Sequence, residues 1–144
     1  MALADTLRET ELFGDLPDET LEAIAGFAAT RSFDEGDTIY TFGDDANDLY
    51  LVEHGRVRFS MGVGNRPHES GSVMTAGSVF GWAAVLDEQP RRVATATCLD
   101  ESRLVVIPGA PLLDLFQRDA AVGYLVMRRL ATMIARDFLS VLSV

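Results

Sequence analysis

Apolar residues recur along this chain with two different periods. Near the start, Leu7, Leu12 and Phe13 form a helical stripe, and Leu21, Ile24, Ala25 and Ala28 repeat at the same spacing. Pro17-Asp18-Glu19 opens the second stripe, with acids placed at the positive end of a helix. Residues 3–30 therefore predict two short helices. From Arg31 to Pro108 the period shortens, and runs rich in Ile, Val, Tyr and Phe alternate with glycines at 36, 43, 55, 62, 64, 71, 77 and 81. The runs Thr38–Phe42, Leu49–Glu53, Arg56–Met61, Ser72–Thr75, Val93–Cys98 and Leu104–Ile107 predict strands of an antiparallel barrel or sandwich. His54-Gly55, between LYLVE and RVRFS, reads as a hairpin turn. Within this β region, Gly81-Trp82-Ala83-Ala84-Val85-Leu86 has the pattern of a short helix.

After Pro108 the helical period returns. Pro111–Gln117 predicts a short helix and residues 120–143 a long one, about 36 Å if continuous. Its stripe includes Val122, Val126, Met127, Leu130, Met133, Ile134, Phe138, Val141 and Leu142. That stripe is broad enough for one part to cover the domain and another to meet a partner helix.

The length of 144 residues suits one domain with a full core. The net charge of −10 is unevenly spread: residues 1–53 hold fourteen acids against two arginines, and residues 54–144 hold eight acids against ten arginines. No lysine is present. This balance argues against a general nucleic-acid binder but leaves room for a local small-anion pocket. No apolar run reaches the roughly 18 residues of a membrane span, and MALADTLRETEL has no signal-peptide pattern, so a cytoplasmic protein is expected. The single Cys98 excludes an internal disulfide and reads as a buried, inert thiol. His54 reads as a turn residue, and His68 as exposed in the polar loop GNRPHES. These two histidines cannot supply a His-x-His metal set or a Ser/His/Asp triad, so no enzyme activity and no metal are expected.

One segment carries chemistry. In GSVFGWAAVL followed by PRRVAT, a strand ends at Gly81, one helical turn follows, and arginine returns at the next strand. Free N–H groups at a short helix's start attract an anion, and glycine permits close backbone approach. An arginine about ten residues on can fork onto two phosphate oxygens. The spacing suggests a small phosphate cradle. The bland alternative pairs Arg92 with Asp87 or Glu88, and Arg91 competes if the register shifts by one. The acidic loop 43–48 reads as a turn, because it lacks the alternating ligands of a calcium loop. Arg128-Arg129 read as a solvated helix face or dimer ion pairs.

The chain resembles the cyclic nucleotide-binding domain of the cAMP-receptor and FNR regulator superfamily. The resemblance rests on the segment from ETELFGDLPDE through LYLVEHGRVRF, the cassette GSVFGWAAVL…PRRVATA, the strand LVVIP and the C-terminal VGYLVMRRLATMIARDF. It implies a mainly β fold with flanking helices: a double-stranded β-helix, of the jelly-roll or β-roll kind, under a hinged C-terminal helix. The implied organisation is a single domain, 1–144. Residues 1–30 form N-terminal helices, 31–108 the roll with a phosphate cassette at 77–95, and 109–144 the hinge and dimerisation helices. No DNA-binding or catalytic domain is expected beside it.

Carried over residue by residue, the implied ligand-binding set is Phe80, Gly81, Trp82, Ala83, Ala84, Arg92 and Val93. Gly81 matches the cassette glycine and Arg92 the arginine that pairs with the cyclic phosphate. Trp82 stands where the family has the glutamate that accepts from the ribose, and Val93 where it has serine or threonine. Asp137 and Phe138 fall about where the family's helix approaches the base. Losing the two polar contacts removes roughly 2.5–4 kcal/mol, so a micromolar cAMP site would weaken to about 0.1–1 mM. Trp82 either fills the pocket or stacks on a different planar ligand.

The expected function is thus a regulatory sensor of a cyclic nucleotide or another small anion, with weak or altered nucleotide specificity. The alternative is a degenerate domain that binds no nucleotide and acts as a dimeric interaction module. Both expect a homodimer through residues 120–143 and allow a protein partner in trans, without nucleic acid or membrane.

Overall fold

A computed structural model describes residues 2–63, 66–86 and 88–142, with side chains of 61–63, 66–72 and 138–142 outside the description. Two helices, α1 (Leu3–Arg8) and α2 (Asp18–Phe27), precede the strands β1 (Ala29–Phe33), β2 (Thr38–Tyr40), β3 (Asp48–His54), β4 (Val57–Val63), β5 (Arg66–Met74) and β6 (Val79–Phe80). The one-turn helix α3 (Ala83–Leu86), strands β7 (Thr95–Cys98) and β8 (Ser102–Pro108), and helices α4 (Gly109–Arg118) and α5 (Ala120–Leu142) complete the order. The strands form two antiparallel four-stranded sheets, ordered β1-β8-β3-β6 and β2-β7-β4-β5. The fold is the expected mainly β roll with flanking helices and a long C-terminal helix. Among the described residues no helix is long and apolar enough to cross a membrane.

The two central strands explain why the sequence is most apolar at LYLV and LVVI. Successive side chains of a strand point to opposite faces. Leu49 and Leu51 of β3, with Val105 and Ile107 of β8, pack outward against Leu7, Phe13, Ile24 and Leu112 of the helical layer. Tyr50 and Val52, with Leu104 and Val106, point into the roll against Val57, Phe80, Ala96 and Cys98. Both faces are buried, so apolar residues run on without alternation.

The structure departs from the sequence expectations at the strand connections. His54-Gly55 is not a hairpin turn. β3 pairs with β8 and β6, whereas β4 pairs with β5 and β7. The turn is therefore a corner where the chain crosses between sheets. Gly55 takes φ +103° there, and a Cβ would lie 2.8 Å from the Cα of Ser102. The polar segment around His68 is strand β5 rather than a loop, and the side chain of His68 lies outside the described residues. β7 begins at Thr95, leaving Val93 on the preceding turn. β1 is not among the predicted runs, and β6 is the short strand expected to end at Gly81. Four of the five residues of β1 are exposed, so it carries no readable apolar run. Ser143, at the expected end of the long helix, lies outside the described residues.

The C-terminal helices join the roll through close backbone contact. Gly109 donates its N–H to the carbonyl of Asn47 at 2.9 Å, and a Cβ on Gly109 would lie 2.7 Å from the carbonyl oxygen of Ala84. Gly123 lets α5 cross α4, since a Cβ there would lie 2.8 Å from that of Phe116. Arg129 donates to the carbonyl of Leu12 at 3.3 Å and to that of Gly14 at 2.5 Å, tying α5 to the segment after α1.

Candidate functional site

The site is built where β6 leaves the first sheet. Phe80 pairs with Tyr50 across the ladder, and the chain turns at Gly81 with φ +80°, a conformation that suits glycine. Ala84 and Val85 donate to the carbonyls of Gly81 and Trp82 at 3.3 and 3.1 Å, which closes the single turn of α3. The chain then returns at Arg92, whose N–H donates to Asp44 (2.8 Å) and whose carbonyl accepts from Gly43 (2.9 Å). The acidic loop is thus a clamp on the backbone of Arg92.

The two adjacent arginines part company. Arg91 lies outside, 3.3 Å from Asp45 and donating to the Gly43 carbonyl. Arg92 turns inward and is 4% exposed. Its Nη1 donates to the carbonyl of Gly81 at 3.1 Å and its Nη2 to the carbonyl of Asp48 at 2.8 Å. Its guanidinium carbon stands 4.1 Å from the ring centroid of Tyr40 and 5.5 Å from that of Tyr50. Its Nε is buried without a hydrogen-bond partner. Among the described residues no carboxylate lies within ion-pair distance of this guanidinium, Glu88 included. Asp87, the other expected partner, is outside the described residues.

The tyrosines cannot serve as counter-ions. Burial pushes both phenols up, Tyr40 the further, and the charge of Arg92 opposes that rise only in part. Both stay neutral across the physiological range. The positive charge of Arg92 is therefore surrounded by carbonyl dipoles and aromatic faces. Such contacts favour a cation, but they leave its charge uncompensated.

The remaining residues implied by the resemblance are distributed around this centre. Phe80 is buried and stacks on Tyr50, centroids 5.1 Å apart and planes 14° from parallel. Ala83 and Ala84 are buried in α3, where with Ala46 they form a small apolar cluster. Trp82 packs, partly buried, on that cluster and on the helical core. Val93 is 52% exposed. Asp137 is exposed on α5, and the side chain of Phe138 is outside the described residues. A Cβ on Gly81 would lie 3.0 Å from Nη1 of Arg92 and 3.1 Å from Cδ2 of Tyr50, so the glycine lets the arginine and the ring come close. Among the described residues no group of three or more His, Cys, Asp or Glu is placed to hold a metal ion.

Sequence reasoning missed Tyr40, Tyr50 and Phe59. These rings line the roll interior with Phe80, at centroid distances of 5.1 to 6.2 Å. Alternation along β4 could have found Phe59, whereas β3 is buried on both faces and does not single out Tyr50. Tyr40 could not be found that way, because the β2–β7 register slips between Thr38 and Tyr40.

Comparison with known proteins agrees with this fold. The family model described as "Cyclic nucleotide-binding domain" matches residues 30–119. A cAMP-dependent protein kinase regulatory subunit from Candida albicans is 30% identical over 97 residues, covering 67% of this chain and 20% of that protein. The cyclic AMP receptor protein of Thermus thermophilus is 28% identical over 131 residues, covering 90% of this chain and 58% of its own length. The chain thus spans a fifth of the first relative and somewhat more than half of the second. A solved putative cyclic nucleotide-binding protein from Geobacter metallireducens shares the fold with a TM-score of 0.82, 24% identity and coverage of 96% and 99%.

Proposed function

The chain belongs to the cyclic nucleotide-binding domain family, and from that premise we propose that it is a regulatory, non-catalytic module that senses a small anion at Arg92. The observation that carries this reading is the buried guanidinium with no carboxylate partner among the described residues and one N–H unspent. A buried charge left uncompensated costs several kcal/mol, and an oxyanion at Nε would offset part of that. The backbone around it is held by Gly43, Asp44 and Gly81, so the arginine needs no ordering on binding.

The specificity of this site is weak or altered for cyclic nucleotides. The two ligand-facing side chains that the family supplies beside the arginine are replaced by an indole at 82 and an exposed isopropyl at 93. Output passes through α4 and α5 to a second copy of the chain. An apolar groove along these helices, lined by Phe116, Gly123, Tyr124, Met127 and Ala131, supports that pairing, as do the exposed side chains of Tyr124 (66%) and Leu125 (38%) beside it.

Trp82 is the single tryptophan and sits on the cassette helix's own cluster, so its emission tests the reading. Titration with cAMP, cGMP and inorganic phosphate should give a saturable change that Arg92→Ala abolishes. A response that survives this substitution places the site elsewhere, and cAMP saturation below about 1 µM contradicts the loss of affinity assigned to Trp82 and Val93.

A further inference from the structure

On the reading that Arg92 is an anion site, we infer that the Tyr40 ring is a built-in cover on its guanidinium, restricting the site to compact oxyanions and barring a nucleoside cyclic phosphate. A guanidinium offers two flat faces and an edge of N–H donors. Tyr40 lies 4.1 Å from its central carbon and Tyr50 flanks it at 5.5 Å. At the edge, Nη1 and Nη2 each donate to a backbone carbonyl, leaving Nε as the buried donor without a partner.

Tyr40 is aimed there by the backbone. The β2–β7 ladder pairs Thr38 with Thr97 but Tyr40 with Ala96, one residue out of step. Such a bulge re-aims a side chain, and here it directs the last ring of β2 to the arginine. The ring is then wedged by its neighbours, 5.9 Å from Tyr50 and 6.2 Å from Phe80, while Phe59 meets Phe80 edge-on at 5.3 Å. Displacing Tyr40 disturbs the whole set.

A compact oxyanion would be held at Nε, the buried donor without a partner. A nucleoside brings a sugar and a base to the same edge. The carbonyl of Gly81 already accepts from Arg92 there, a Cβ on Gly81 would lie 3.1 Å from the Tyr50 ring, and Trp82, packed on Ala46, Ala83 and Ala84, offers no acceptor for a sugar hydroxyl.

Calorimetric titration of the full chain with inorganic phosphate and with cAMP, each against wild type, Tyr40→Phe, Tyr40→Val and Arg92→Ala, tests the cover. In wild type, cAMP should bind no more tightly than phosphate. Tyr40→Val should improve cAMP by about tenfold or more with little change for phosphate, and Tyr40→Phe, which keeps the ring, should match wild type. A wild-type preference for cAMP of about tenfold or more overturns the cover and leaves the anion reading standing. So does a Tyr40→Val protein with an unchanged ratio. If Tyr40→Val does not fold, Tyr40→Leu, which also removes the ring, takes its place, with the same gain for cAMP expected and an unchanged ratio overturning the cover. Absence of any Arg92-dependent binding, of either compound, removes the anion reading and the cover with it.

Discussion

Arg92 donates from Nη2 to the backbone carbonyl of Asp48 at 2.8 Å, joining two positions 44 residues apart in the sequence. With the bond to Gly81, this makes one side chain a brace between the start of β3 and the end of β6. Asp48 takes part through its peptide group, so its carboxylate is not what holds the arginine.

That brace predicts a stability role separable from binding. Arg92→Ala should lower unfolding free energy by about 1.5–3 kcal/mol, the range for hydrogen bonds to a charged group, since the unspent Nε limits the net gain. Urea unfolding at neutral pH measures it. Arg91→Ala, which loses an exposed pair and an exposed hydrogen bond to the Gly43 carbonyl, should fall within about 0.5 kcal/mol of wild type.

Gly81→Ala should be costly for two reasons acting together. The backbone at φ +80° disfavours an L side chain, and the new methyl would lie 3.0 to 3.1 Å from Arg92, Tyr50 and the carbonyl of Asp48, closer than ordinary van der Waals contact. A loss of about 1–3 kcal/mol is expected, with the fluorescence response to anions lost as well. Retention of that response would show that the glycine is not needed for the placement of Arg92.

Glu11 and Arg136 form a two-pronged ion pair at 2.9 and 3.1 Å between the segment after α1 and the far half of α5. The Arg136 hydrogen bond holds the Glu11 carboxyl below the usual carboxylate range. A lowered folded-state pKa contributes stability above the unfolded-state value, lost as pH falls through the folded-state one. Glu11→Gln should therefore unfold slightly earlier than wild type at neutral pH and converge with it in acid. Both partners are more than half exposed, so the gap should be small and shrink with salt. Urea midpoints between neutral and acid pH read this directly.

If the α4–α5 groove receives a second copy, Tyr124→Glu should shift sedimentation towards the monomer while leaving the far-UV circular dichroism unchanged. The side chain is 66% exposed in the single chain, so its replacement should cost the monomer little. A dimer that persists at micromolar concentration would move the interface away from this groove.

Much of the architecture was legible because it follows from burial. Leu49, Leu51, Val105 and Ile107 announce central strands, and the spacing of Val122, Val126 and Leu130 announces a helix against the core. Replacing Leu51 with Ala should cost about 2–5 kcal/mol on that account. Pairing was less legible. Nothing in LYLVEHGRVRF says that β3 and β4 join different sheets, because the partners of β3 lie at residues 79–80 and 103–108, beyond any local signal. At the site, the glycine and arginine could be read from spacing. The rings of Tyr40 and Tyr50 could not, since one depends on a slipped register and the other on which face of β3 looks inward.

The contact of Gly109 with Ala84 has a mechanical consequence. Between the cassette turn and the first residue of α4 there is no side chain to bend, only main chain against main chain, with the N–H of Gly109 anchored on Asn47. A shift of α3 cannot be taken up by a rotamer change at this joint. Such a shift would press on the base of α4, and the close packing of Phe116 on Gly123 would carry it to α5, much as a short rigid crank turns a longer lever.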